Sequence, residues 1–269
     1  MKRHLALPTS CKLAVALICS LFLVNSPAQA QGWGTIKGKV VWDGGDVPEP
    51  EKANVDKDQP HCLSKGAIFK DEIVVNKKNK GVRWVLVWLT DPKTAKNPKF
   101  VPPIHPSLKE VKGPVEIDQP CCIFEPRVIG MRTGQGLVVR NSAPIPHNFK
   151  IDSIGGGPVA NPLLPPGGKS EVEGFVPTTV PTLYTCSIHA WMKGYIGVFP
   201  HPYFAVTNED GEFEIKNAPA GKFRLMVWQE KAGWVIIDPK NPVNRGKVIQ
   251  VKSGDTTDVG SIPLKLAKD

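Results

Sequence analysis

The chain has 269 residues, and its 34 Lys and Arg against 25 Asp and Glu give a formal charge of +9. The positive charge is spread out, and the chain has no basic block interleaved with aromatic residues, which argues against a nucleic-acid-binding protein. Pro and Gly are abundant, with 27 and 25 residues, and helical periodicity is nearly absent, which argues against a helical fold.

Residues 1–30 are predicted to form a secretory signal peptide rather than part of the fold. A basic region at 2–12 precedes an apolar run at 13–24, and a small-x-small cleavage pattern ends at Ala30. The apolar run is shorter than the roughly 20 residues that a membrane-spanning helix needs. We therefore expect cleavage after Ala30, a periplasmic or secreted protein, and no membrane span in the mature chain.

The remaining sequence, about 240 residues, has room for one large or two small domains. Short alternating or β-branched runs recur between turn residues, a pattern typical of an all-β chain built from sandwiches. The predicted strands are 35–42, 82–89, 128–131, 137–140, 170–176, 196–199, 204–207, 212–215, 223–227 and 248–251.

Two stretches of the N-terminal region have distinct compositions. Residues 82–89 are apolar at nearly every position, which predicts a strand covered on both faces. Residues 91–114 are rich in Pro and Lys, which indicates a loop or linker.

The motif that carries chemistry is C-x2-H-x2-M, formed by Cys186, His189 and Met192 on one short stretch. A thiolate, an imidazole and a thioether, with one more imidazole, are the ligands of a trigonal copper site with a weak axial donor. His147 is the candidate for the second imidazole. Zinc is a weaker candidate, because a thioether is a poor zinc ligand.

Four cysteines follow the predicted cleavage site, and an exported protein lies in an oxidising compartment where thiols tend to pair. If Cys186 is a metal ligand, three remain and one of them is unpaired. We predict a disulfide between Cys62 and Cys122, with Cys121 as an alternative partner of Cys62. A vicinal Cys121–Cys122 bond is less favoured, as is a second metal site that also uses His61.

Residues 113–200 resemble a cupredoxin, and the ligand loop is most similar to that of amicyanin. The resemblance rests on N-x5-H-N at 141–148, a Pro-Gly turn at 163–168 and Y-x-C-x2-H-x2-M-x-G at 184–194. Residues 125–136 are similar to the early strands of the family. The resemblance implies a Greek-key β-sandwich that holds one type 1 copper ion.

The resemblance also implies roles for the residues around the proposed ligands. The backbone N–H of Asn148 should donate to the Cys186 sulfur, and the Asn148 side chain should tether the loop at Ser187, since such outer contacts orient ligands. The chain departs from the family at two positions. Ala190 stands where Pro is frequent, and Arg127 stands where related exported proteins often carry His.

Residues 201–269 contain two predicted turns between alternating strands, a hairpin turn at Asp210–Gly211 and a second turn at 218–221. This region resembles the carboxypeptidase regulatory-like domain, a small β-sandwich. Because residues 31–42 resemble the first strand of that domain, we predict that 31–112 and 201–269 share one sandwich, with 113–200 inserted between them. Two separate domains in series are the alternative.

Together these features predict a one-electron carrier that meets transient redox partners through small contacts. We expect the His189 ring to lie near the surface. Pro146, Ala190 and Trp191, with residues 144–145, would form an apolar ring around it for partner docking.

Two other functions are alternatives to electron transfer. A copper oxidase or nitrite reductase needs more imidazoles, yet only His61, His105 and His201 remain after the proposed ligands, and the chain has no H-x-H motif. We therefore predict that the protein is not an enzyme. The remaining alternative is a secreted binding or assembly module whose metal site stores copper or is idle.

Overall fold

Almost all of the regular secondary structure in the described residues is β-strand, which confirms the predicted all-β class. The computed structural model describes Met1 and residues 32–153, 155–235 and 245–266. Apart from Met1, the predicted signal peptide lies outside these residues. Within the described ranges, no helix has both the length and the apolar character needed to cross a bilayer.

The strands are short and follow one another closely along the chain. The first are β1 (Trp33–Trp42), β2 (Val74–Val75), β3 (Val82–Arg83), β4 (Leu86–Thr90) and β5 (Val115–Ile117). The middle strands are β6 (Val128–Arg132), β7 (Leu137–Arg140), β8 (His147–Asn148), β9 (Lys150–Asp152), β10 (Val159–Ala160), β11 (Leu163–Leu164), β12 (Lys169–Val172), β13 (Thr182–Thr185) and β14 (Lys193–Phe199). The last are β15 (Phe204–Val206), β16 (Glu212–Pro219), β17 (Gly221–Gln229), β18 (Gly233–Trp234), β19 (Lys247–Val251) and β20 (Thr256–Leu264). Among the described residues, two helical segments interrupt them, α1 (Gln59–Cys62) and a 3-10 helix (Pro106–Leu108).

Strands from the two ends of the chain pair with each other. β1 lies between β16, which is antiparallel to it, and β20, which is parallel. β4 lies between β15 and β17, and β17 also pairs with β19. Ile36, Leu89, Leu225 and Ile262 from these strands share one hydrophobic core. The assignment of this part to a carboxypeptidase regulatory-like domain stays a prediction, as do the proposed domain boundaries.

Two further sheets position the candidate site. One has the order β10-β9-β13-β14-β6, with β14 and β6 parallel, and the other has the order β12-β7-β5. Leu137 and Val139 from the second sheet and Ile151, Tyr184 and Ile196 from the first belong to one buried cluster. Cys186 and Met192, from the loop that carries the candidate ligands, also belong to this second core.

A third hydrophobic cluster joins strands of the two parts. It combines Trp88 of β4 and Trp228 of β17 with Val128 of β6 and Phe199 of β14. The ring centroids of Trp88 and Phe199 lie 5.2 Å apart. The two parts therefore share buried apolar surface, which stabilises their contact.

The predicted strand 82–89 is interrupted at Trp84. This residue has a φ of 64°, in the left-handed region that a bulky side chain rarely adopts, so β3 ends before it and β4 begins after it. The N–H of Val85 donates to the hydroxyl of Thr207 at 3.0 Å, and that hydroxyl donates to the Val82 carbonyl at 2.7 Å. The apolar run predicts the buried strand β4, but the interruption depends on contacts with a distant residue.

Asp210–Gly211 forms a turn, but the hairpin predicted there is wrong. β15, before the turn, pairs with β4, whereas β16, after it, pairs with β1. Gly211 has a φ of 75°, its carbonyl accepts the N–H of Val40, and a Cβ there would lie 2.3 Å from the Val40 carbonyl oxygen. The close approach of β1 therefore requires glycine and draws the chain into a different sheet.

Candidate metal centre

The loop between β13 and β14 carries three of the four candidate ligands. The backbone N–H of Cys186 donates to the Met192 carbonyl at 3.1 Å, and the N–H of Met192 donates to the His189 carbonyl at 2.9 Å. These two hydrogen bonds join the two ends of the loop at the point where the pairing of β13 and β14 stops. All three candidate side chains are buried, and the Met192 side chain belongs to the same core cluster as Cys186.

His147 reaches this loop from the short strand β8. β8 pairs with β11, where His147 stands opposite Leu164. The Asn141 side chain donates to the carbonyls of Ile145 and Leu164 at 2.8 and 2.9 Å, which holds the segment before His147 against β11. Strand pairing and these hydrogen bonds therefore fix the position of the His147 backbone. The His147 imidazole is fully buried.

The structure brings three of the predicted ligands together. The donor atoms of His147, Cys186 and His189 all lie within 4.8 Å of one another. The two Nδ1 atoms of the histidines are 2.9 Å apart, and the Nδ1 of His189 is 3.9 Å from the Cys186 sulfur. The Nδ1 of His189 thus faces both the sulfur and the Nδ1 of His147.

This donor set fits a copper ion. With metal bonds of about 2.3 Å to sulfur and about 2.0 Å to nitrogen, the lengths typical of zinc, donors that share a metal lie roughly 3–4 Å apart. The separations of 2.9 Å between the two Nδ1 atoms and 3.9 Å between His189 Nδ1 and the sulfur are close to this range. A thiolate and two imidazoles, with the thioether of Met192 on the same loop, match the ligand types that copper favours. The assignment of the metal and of Met192 as its axial ligand stays a prediction.

The surroundings of Cys186 favour the thiolate, which is the form of cysteine that ligates metals. Burial alone would raise the pKa of the Cys186 thiol. The neighbouring imidazoles of His147 and His189 and nearby backbone N–H groups, among them that of His189 at 3.5 Å, outweigh burial and lower the pKa to about 5. The site therefore favours negative charge on the sulfur at neutral pH.

Asn148 fastens the ligand loop to the strand that carries His147. Its Oδ1 accepts the backbone N–H groups of Ser187 at 2.7 Å and Ile188 at 3.3 Å. Its Nδ2 donates to the Ser187 hydroxyl at 3.3 Å and to the Asn161 side chain. These contacts link two segments that lie far apart in sequence, and their effect on a bound metal stays a prediction.

The His189 ring, which was expected near the surface, is covered by other residues. Its side chain is fully buried, and its Nε2 lies 2.9 Å from Oδ2 of Asp58. Burial alone would lower the pKa of His189, but its contacts with Cys186 and Asp58 raise it. Asp58 could not be predicted as a neighbour of this ring from the sequence, because no local pattern connects it with a residue 131 positions later.

The predicted docking residues differ in accessibility. Pro146 and Ala190 are exposed, but Trp191 is half-buried, and its indole N–H donates to the Cys122 carbonyl at 3.0 Å. The Trp191 ring lies 5.1 Å from that of His189. Trp191 therefore packs between the candidate ligand and the Cys122 segment, and the proposed docking role of all three residues stays a prediction.

The predicted disulfide between Cys62 and Cys122 is confirmed, and Cys121 is free. The sulfur atoms of the disulfide lie within 4.8 Å of a His189 ring nitrogen. Because they are bonded to each other, they do not offer the thiolates that the alternative second metal site needs. The disulfide instead fastens α1 beside the candidate metal centre.

Two other histidines have structural contacts. His201 is buried, its Nε2 lies 3.0 Å from the Leu89 carbonyl oxygen, and burial lowers its pKa to about 4. The His105 ring accepts the N–H of Ser107 at the start of the 3-10 helix. Both arrangements are typical of packing and turn residues.

A buried charge cluster near β6 and β14 was also missed by the sequence analysis, which noted Arg127 only as a replacement for histidine. The Arg127 guanidinium lies 2.6 Å from Glu230 Oε2, and these side chains are 10% and 6% exposed. Lys193 lies 3.2 Å from the other oxygen of Glu230 and also bonds to Glu72. The cluster joins the metal-centre sheet to the end of β17 and to the N-terminal region.

No protein-family model and no curated protein matches the chain. Solved structures that resemble part of it include a copper-containing nitrite reductase from Thermus scotoductus SA-01, at 22% identity and a TM-score of 0.31, covering 36% of this chain and 27% of that chain. A purple cupredoxin from Nitrosopumilus maritimus matches at 22% identity and a TM-score of 0.28, covering 31% and 98%. A mutant amicyanin in its oxidized state matches at 17% identity and a TM-score of 0.29, covering 34% and 86%. The match thus spans about a quarter of the nitrite reductase, and all three TM-scores are low, so the choice of metal depends on this chain's own side chains.

Proposed function

We propose that this protein is an exported one-electron carrier that holds one type 1 copper ion through His147, Cys186, His189 and Met192. The observation that supports it most is the convergence of a buried thiol of lowered pKa with two buried imidazoles. This ligand set in this order suits copper better than zinc or a hard cation.

Bound copper would supply a reversible one-electron couple at this site. The residues of the chain hold the donors in nearly fixed positions. Backbone hydrogen bonds close the loop from Cys186 to Met192, and Asn148 ties that loop to β8. Because the donors are fixed before the electron arrives, little has to move during transfer, which favours rapid exchange.

Burial of the donors serves the same purpose. His147 and His189 have no solvent-exposed surface. Water is therefore kept from the donor atoms, and the site does not have to reorganise solvent when its charge changes. The exposed residues Pro146 and Ala190 lie beside the ligands in sequence, and we assign them to the docking of a transient redox partner.

The test uses the purified mature protein loaded with Cu(II). The expected result is an intensely blue protein with one copper ion per chain and a single reversible one-electron step in a redox titration. Cys186→Ser should lose the colour, because the colour arises from charge transfer between thiolate and copper. Cys121→Ser, which alters the free cysteine outside the site, is the matched control and should stay blue.

A colourless Cu(II) complex, or no uptake of copper, would overturn the proposal. A blue protein without a single one-electron step would favour the binding or assembly module with a storage or idle site. Steady turnover of nitrite by this chain alone would instead indicate an enzyme.

A further inference from the structure

Asp58 lies outside the predicted ligand region, yet it touches a candidate ligand. Its Oδ2 is 2.9 Å from Nε2 of His189, across a separation of 131 residues. The Nδ1 of the same ring faces His147 and the Cys186 sulfur. The imidazole is therefore held between the candidate metal position on one side and a carboxylate on the other.

The local geometry of Asp58 indicates that its carboxylate is directed at His189 and not at its own helix. Asp58 is the N-cap residue of α1, a position where aspartate commonly accepts a hydrogen bond from the first turn. Its side chain makes no such bond, and its backbone is left-handed, with φ 46° and ψ 33°. Only its carbonyl caps α1, by accepting the N–H groups of His61 and Cys62.

The segment that carries Asp58 is fastened to the ligand loop. Cys62, at the end of α1, forms the disulfide with Cys122, and the Cys122 carbonyl accepts the indole N–H of Trp191 at 3.0 Å. Trp191 directly precedes Met192 and lies two residues after His189. A covalent bond and a hydrogen bond thus tie α1 to this loop.

We propose that Asp58 is a positioning residue of the metal centre, an inference that rests on the proposed function. By accepting the Nε2–H of His189, its carboxylate keeps the Nδ1 lone pair free and aimed at the metal. Partners of this kind fix the tautomer and orientation of a ligand histidine. The negative charge of the Asp58 carboxylate also makes the His189 ring a stronger electron donor. This favours Cu(II) over Cu(I) and so lowers the midpoint potential.

The experiment compares Asp58→Asn and Asp58→Ala with Asp56→Asn and Asp56→Ala in the full mature chain. Asp56 is an exposed carboxylate on the same segment, so its variants change the net charge equally. Asparagine removes the charge but keeps a hydrogen-bond acceptor, whereas alanine removes both. Comparing Asp58→Asn with Asp58→Ala therefore separates the effect of the negative charge from the effect of the hydrogen bond that orients His189.

Two measurements are made. In the copper-free protein, long-range proton–nitrogen NMR spectra report which nitrogen of His189 carries the proton. We expect the Nε2–H tautomer in wild type and in both Asp56 variants, and a mixture of tautomers in Asp58→Ala. In the copper-loaded protein, chelator competition should give a copper affinity about 10- to 100-fold lower in Asp58→Ala. The midpoint potential should rise in both Asp58 variants.

Each outcome decides between the hypotheses. If wild-type protein binds copper and the Asp58 variants match the Asp56 variants in tautomer, affinity and potential, the positioning role is wrong while the electron-carrier proposal stands. If wild-type protein binds no copper, the proposed function fails, and this inference fails with it.

Discussion

The Nδ1 atoms of His147 and His189 lie 2.9 Å apart, although 42 residues separate the two histidines. β8, held against β11, supplies one ring, and the closed loop between β13 and β14 supplies the other. Two bare imidazole nitrogens at this distance repel each other unless they share a proton or a cation. The pair therefore forms one unit with Cys186, and substitutions in and around that unit test its role.

Met192→Leu separates an axial ligand from a packing residue. Leu and Met have similar volumes, so the free energy of unfolding should fall by less than about 1.5 kcal/mol. The midpoint potential of the copper-loaded protein should rise, because loss of a weak donor favours Cu(I). Spectroelectrochemistry and urea unfolding measure the two quantities.

Met131→Leu is the matched control, since Met131 is also buried in this core. Equal potentials in the two variants would indicate that Met192 only fills space.

The disulfide should contribute much of the stability of the chain. It links residues 60 positions apart, and closing a loop of that length stabilises a protein by about 4 kcal/mol in the chain-entropy model. A variant that combines Cys62→Ser with Cys122→Ser should lose about that much free energy of unfolding, measured by urea titration. Cys121→Ser should change it little, and a loss below about 1 kcal/mol in the double variant would contradict this assignment.

The buried pair of Arg127 and Glu230 should be sensitive to removal of either charge. Glu230→Gln leaves the Arg127 guanidinium, which is 10% exposed, without its main counter-charge. We expect a loss of about 3–5 kcal/mol in the free energy of unfolding, because an uncompensated buried charge is costly. Chemical denaturation of the copper-free protein measures this loss.

The surface pair of Arg140 and Glu116, 49% and 54% exposed, provides a control for that substitution. Glu116→Gln should cost less than about 1 kcal/mol. Similar losses in both variants would mean that the buried pair has no special role.

Glu72 should give the stability a dependence on acidic pH. Its hydrogen bond with Lys193 outweighs partial burial and lowers the pKa of this carboxyl below its usual value of 4.5. A lowered folded-state pKa means that the unfolded chain binds more protons, so this stabilisation is complete above pH 4.5 and is lost as the pH falls through the folded-state pKa. Glu72→Gln should therefore flatten the acid side of a plot of melting temperature against pH. Superimposable acid branches would contradict the assignment.

The local sequence pattern was sufficient to predict the all-β class and three of the candidate ligands. Alternating and β-branched runs predicted the all-β class, because side-chain alternation within a strand is a property of a few consecutive residues. The same holds for Cys186, His189 and Met192, which one short loop brings together. The number of cysteines in an oxidising compartment predicted a disulfide but left Cys121 and Cys122 open as partners of Cys62.

Only the tertiary structure decided contacts between segments far apart in sequence. It selected Cys122 as the disulfide partner, placed Asp58 against His189, and paired Arg127 with Glu230 across 103 residues. It also placed the strands around Gly211 in different sheets. Each of these contacts depends on how sheets pack and which backbones approach, and a period-2 pattern is the same whichever strand becomes the neighbour.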